Sequence, residues 1–197
     1  MRVKRSKLSQ PEKEPESDSE DDTNIVSIKD CVYFSSGVET NTILKLIEHI
    51  SKATDYALEH CYDIKETYVY LYINSPGGDA FAGMSAMDHI RINRVPIITI
   101  ADGFVASAAT FLLLGGVYRK ALKNSRILIH QLSTGFWGKF VDLLDEVENS
   151  KELMSTFHKL YMDNTYMKEE QVRKLLKGEI HMVAQDALKM GIVDEIW

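Results

Sequence analysis

The chain has 197 residues, 45% of them hydrophobic, and a formal net charge of −6, enough for one domain with a sizeable core. The negative balance argues against a general nucleic-acid-binding surface, and the longest apolar runs fall short of the ~20 residues that a membrane span needs. Cys31 and Cys61, the two cysteines, form neither a metal motif nor a disulfide framework.

Residues 1–24 pair the basic MRVKRSK with the acidic PEKEPESDSEDD and carry too little apolar surface to offset their ordering entropy. They are expected to be a disordered charged tail, whether a solvated extension, a contact arm or a cleaved leader. No apolar signal core opens the chain, so a cytoplasmic protein is expected. Residues 25–197 are expected to fold as one domain.

VYF at 32–34 has the character of a strand. TNTILKLIEHISKATDYALEH is helical, since Ile43, Leu46, Ile47 and Ile50 recur at helical spacing. YVYLYI at 68–73 is a strand closed by NSPGGD. A helix follows through AGMSAMDHIRI, and Pro96 opens the strand IITIAD. Residues 107–114 are helical, RILI at 126–129 is a strand, and a long helix runs from about Lys139 to Met162. VAQDALKMG is a helix with a glycine stop, followed by the short strand IVDEI. Strand–helix alternation of this kind predicts an α/β fold on largely parallel strands.

In such folds functional groups gather where strands end. Three ends carry chemistry: SPGGD after the first long strand, GFVAS after the second, and His130-Gln131 after RILI. Ser107, at a strand–turn–helix junction, is the candidate nucleophile, and His130 is its candidate base. Packing alone would also account for a serine among alanines, and a structural hydrogen bond for a histidine. Gly77-Gly78 is either a tight turn or a place where backbone N–H groups approach an oxyanion. The chain has no GxxxxGK[ST], GxGxxG or HExxH motif, so neither phosphate-loop nor zinc chemistry is expected. The absence of GxSxG disfavours an α/β-hydrolase.

LYINSPGGDAFAGMSAMDHI, GFVASAATFLL, NSRILIHQ and AQDALKMGIVDEI together resemble, in order and approximate spacing, the proteolytic subunit of the Clp protease. The resemblance implies a Clp-protease-like (crotonase-like) fold of repeated strand–helix units with a protruding strand–helix handle. It also implies a serine endopeptidase whose subunits stack as rings, heptameric in the family, around a chamber. Carried over by position, Ser107 matches the nucleophile and His130 the general base. The backbone N–H groups of Gly78 and Ala108 match the oxyanion donors. Glu179 stands where the family usually has the triad aspartate. Tyr70, Tyr72 and Ile100 match part of a docking pocket for an AAA+ unfoldase. No cofactor is implied for this chain, because ATP is used only by that partner. The substrates implied are unfolded polypeptides or short peptides.

The departures are local. The Ile50–Tyr68 connection is longer than in the family, Leu132 replaces a proline, and Asp102 replaces an apolar residue. The helix from Val141 to Met162 carries Val141, Leu144, Val147, Met154, Phe157, Leu160 and Tyr161, more apolar surface than one face needs. With the TGFWGKF strand before it, this helix is the expected contact between rings. The alternatives are a crotonase-type acyl-CoA enzyme, a non-catalytic ring subunit, or a virus-encoded capsid-processing relative acting in host cytoplasm.

Overall fold

The computed structural model describes residues 24–197, so the expected disordered tail lies, apart from Asn24, outside the described residues. Eight strands form one sheet. Strands β1 (Ile25–Ile28), β2 (Cys31–Phe34), β3 (Val69–Ser75), β4 (Ile97–Ala106), β5 (Tyr118–Ala121) and β8 (Glu195–Ile196) lie side by side in that order. All neighbours in this row are parallel except the β1–β2 hairpin. Strand β6 (Arg126–Leu128) pairs with β4, and β7 (Met182–Val183) runs antiparallel to β6.

Helix α1 (Thr40–Glu59) buries Ile43, Leu46, Ile50, Ala53 and Ala57, a three-and-four spacing that keeps one stripe toward the core. Its first turn is closed by the Thr42 hydroxyl, which accepts the Glu39 N–H at 3.0 Å. Helices α2 (Ala80–Arg91) and α3 (Ala109–Gly115) are the crossovers into β4 and β5. Every residue of α3 is buried, which explains its unbroken ATFLLLG. On β3, Val69, Leu71, Ile73 and Ser75 point inward, and Tyr70 and Tyr72 lie half-buried on the other face.

The ten residues of β4 do more than IITIAD suggests. Ile98–Ala101 pair with β5, and Phe104–Ala106 pair with β6. One strand therefore delivers its own end beside the end of β6, and that places the site.

Some elements were not apparent in the sequence. β5 (YRKA) is too polar to form an apolar run, and β1 alternates weakly. Helix α5 (Glu169–Lys177) is short and charged, with only Val172 and Leu176 buried. The strand expected at TGFWGKF is not formed: residues 131–139 have no regular structure, with Gly135 and Gly138 weakening the stretch. Helix α4 (Phe140–Asn164) follows it.

Candidate active site

Ser107 follows β4 directly and has φ +54, one of two non-glycine residues with positive φ among those described. Such a conformation costs about 1–3 kcal/mol and persists only where its surroundings enforce it. Here they do. The Ser107 N–H donates to the Leu128 carbonyl at 2.8 Å, and the Ser107 carbonyl accepts the Thr110 N–H at 2.9 Å. The first bond ties the serine turn to β6, where Ala106 and Leu128 are in register. His130 lies two residues beyond Leu128. Serine and histidine thus leave the same edge of neighbouring parallel strands, which are about 4.8 Å apart. They are not hydrogen-bonded to each other among the described residues. In catalytic pairs that bond commonly tightens only with substrate.

The glycine turn is packed against this serine. Gly77 has φ +90 and Gly78 φ +150. A Cβ on Gly77 would stand 2.5 Å from the Ala106 carbonyl oxygen and 2.7 Å from the Ser107 Cβ, and one on Gly78 would collide with the Val38 carbonyl. Only glycine fits at either position. The turn is pinned by Val38 N–H to the Gly77 carbonyl at 2.9 Å and by Asp79 N–H to the Val38 carbonyl at 2.7 Å. Among the described residues, the Gly78 and Ala108 N–H groups have no acceptor within the chain. Gly78, Ser107, Ala108 and His130 line one cavity of about 670 Å³. A carbonyl oxygen entering it meets two free amides beside a hydroxyl and an imidazole.

Glu179 is exposed, in the irregular 178–181 stretch after α5. The antiparallel register pairs Arg126 with Val183 and Ile127 with Met182. The pairing stops there: residues 129–130 and 178–181 lie outside the strands, and no hydrogen bond joins Glu179 to His130 among the described residues. The ring contact between Phe104 and His181, 5.1 Å between centroids, braces the same segment against β4.

The docking trio lies on the neighbouring strands β3 and β4 and differs in burial. Tyr70 and Tyr72 are half-buried, and Tyr72 stacks on Tyr33 at 4.7 Å. Burial, then nearby negative groups, pushes both phenols above the ordinary tyrosine value. Ile100, expected beside them, is fully buried, flanked in register by Tyr72 and Lys120. The apolar residues of α4 also divide. Val141, Leu144 and Val147 are at least half exposed, whereas Phe157 and Tyr161 are buried. Phe157 and Tyr161 pack on Phe111, with ring centroids 5.2 and 6.0 Å away, and wall the cavity. They were expected in the contact between rings; the fold puts them in the core because α4 crosses α3 there. Their role as cavity wall had no sequence signal beyond helical spacing.

Among the described residues, no three His, Cys, Asp or Glu side chains cluster as a metal site, and no helix is long and apolar enough to cross a membrane.

Residues 38–197 match the family model described as Clp protease. The chain is 35% identical over 133 residues to the ATP-dependent Clp protease proteolytic subunit of Deinococcus radiodurans, an alignment covering 66% of this chain and 65% of that relative. The chain belongs to the Clp protease family.

Proposed function

We propose that this chain is the serine endopeptidase subunit of a self-compartmentalised ring protease that cleaves unfolded polypeptides or short peptides. The observation that carries the reading is the Ser107 turn, held in a strained conformation beside two free amides and at one strand edge with His130. The Ser107 Oγ attacks the scissile carbonyl carbon while His130 takes its proton. The oxyanion that forms is held by the N–H groups of Gly78 and Ala108. On collapse the C–N bond breaks and His130 returns the proton to the leaving amine. Water, deprotonated by the same imidazole, then hydrolyses the acyl-serine. Glu179 orients the ring of His130 and stabilises the imidazolium.

The assembly reading rests on the outer part of α4, whose exposed Val141, Leu144 and Val147 make a contiguous apolar strip of the kind that marks an interface. Rings stack through it, seven subunits to a ring by family resemblance. An AAA+ unfoldase, the only user of ATP, docks on the face bearing Tyr70 and Tyr72. The particle works in the cytoplasm.

Fluorophosphonate labelling followed by peptide mapping tests the chemistry. The label should land on Ser107, and Ser107→Ala should abolish both labelling and peptide cleavage, a loss of at least ~10³-fold, with the particle intact. Modification elsewhere, or cleavage surviving in Ser107→Ala, overturns the reading. Charges at Leu144 and Val147 should split stacked rings; a double substitution that sediments as the full particle rules that contact out.

A further inference from the structure

Behind the nucleophile turn lies a buried chain of hydroxyls. Thr110, in the first turn of α3, is fully buried, and Tyr161 of α4 is 2% exposed. The Thr110 Oγ1 donates to the Ser107 carbonyl at 2.6 Å and lies 2.6 Å from the Tyr161 hydroxyl. Proton counting fixes the direction. A carbonyl has no proton to give, so the single proton of Thr110 goes to Ser107, and the proton between the two hydroxyls comes from Tyr161. Burial holds the Tyr161 phenol above its ordinary range, and so it remains a donor.

The relay ends on an atom that matters. The Ser107 carbonyl and the Ala108 N–H belong to one planar trans peptide and therefore point in opposite directions. Drawing the carbonyl toward Thr110 fixes the Ala108 N–H in the opposite direction, and Ala108 lines the cavity with Ser107 and His130. A threonine in a first helical turn can make or forgo its bond to a preceding carbonyl. The Tyr161 donor removes that freedom, and consecutive hydrogen bonds strengthen one another.

We propose that Thr110 and Tyr161 are positioning residues that hold the Ser107–Ala108 peptide plane and thereby aim the Ala108 N–H at the developing oxyanion. The proposal rests on Ser107 being the nucleophile, and it assigns a catalytic consequence to two buried residues that act through the Ser107 carbonyl.

The test compares full-length wild type with Tyr161→Phe, Thr110→Val, Thr110→Ser and the Phe/Val double variant. Three quantities are read: kcat and KM on a short fluorogenic peptide, the second-order rate of fluorophosphonate labelling at Ser107, and the melting temperature. Tyr161→Phe and Thr110→Val should each lower kcat and the labelling rate about five- to tenfold, the scale of one hydrogen bond. KM should stay within about twofold, because the interaction acts in the transition state. Thr110→Ser, which keeps the hydroxyl, should recover most of the rate. The double variant should be little worse than Thr110→Val, since the pair acts as a unit. Rates unchanged in Tyr161→Phe, with or without a lower melting temperature, overturn the proposal and leave the pair as core packing. Tyr161→Phe decides the matter even where Thr110→Val does not fold. If wild-type Ser107 fails to label, the nucleophile reading falls and the positioning role falls with it. If it labels and the variants label as fast, only the positioning role falls.

Discussion

The two sides of the cleft are built on different principles. On the nucleophile side the backbone is pinned around two unpaired amides: Gly77 and Gly78 leave no room for a Cβ, and Ser107 is fixed by bonds to Leu128 and Thr110. On the side of the candidate acid, Glu179 stands exposed in an irregular stretch, three residues short of the two-residue strand that pairs with β6. In the proposed mechanism the groups that meet developing charge sit where small displacements are prevented. The group that would steer a side chain sits in irregular backbone, where a rotatable carboxylate tolerates more error than a peptide N–H.

On that contrast, adding one methyl group on the rigid side does at least as much harm as removing a charge on the other. Gly77→Ala should lower stability by about 1–3 kcal/mol through overpacking and strain. Because the new Cβ presses on Ala106 and Ser107, turnover should fall by at least ~10²-fold, beyond what the loss of folded protein explains. Thermal unfolding and peptide turnover measured together check this, and turnover within threefold of wild type would break the comparison.

Glu179→Gln should cut turnover about a hundredfold with little change in KM, part of the up to ~10⁴ that a triad carboxylate can supply. Glu179→Asp should cost less, since the charge remains while the reach shortens. If both substitutions leave turnover within about threefold, as surface changes do, Glu179 is no part of the site. The acid side would then have no member at that position.

A smaller effect separates the sides by pH. Tyr161 is buried and its phenol raised, so the folded chain holds a proton that the unfolded chain releases near pH ~10. Stability from this group is fully present below that value. It drains as pH rises further, by about 1.4 kcal/mol per unit. Tyr161→Phe should flatten the alkaline slope in chemical denaturation, whereas Glu179→Gln should leave it unchanged. Equal slopes in all three proteins would erase the distinction.

Much of the nucleophile side was legible in the sequence, because its chemistry lies in short motifs at strand ends. SPGGD, GFVAS and His130 are local, and parallel strands bring such ends to one rim. Glu179 was picked out by the family resemblance alone; the β6–β7 pairing, which two residues of strand do not announce, stops at Met182, three residues short of it. The Thr110–Tyr161 bond joins residues 51 positions apart and exists only through the packing of α4 on α3. Helical spacing grouped Phe157 and Tyr161 with Val141, Leu144 and Val147. Periodicity reports which side of a helix is apolar and is silent on whether core or neighbour covers it.

The exposed approach to α4 also gives the molecule an optical signal of its own. The chain has two tryptophans. Trp197 lies beneath the Lys120 ammonium, 3.8 Å from its ring centroid, and Trp137, just ahead of the helix, is 98% exposed. An indole in water emits at long wavelength and is open to collisional quenchers. One that becomes sandwiched between two particles emits further to the blue and is shielded. Stacking of the kind proposed above would therefore be readable in native fluorescence, without a dye.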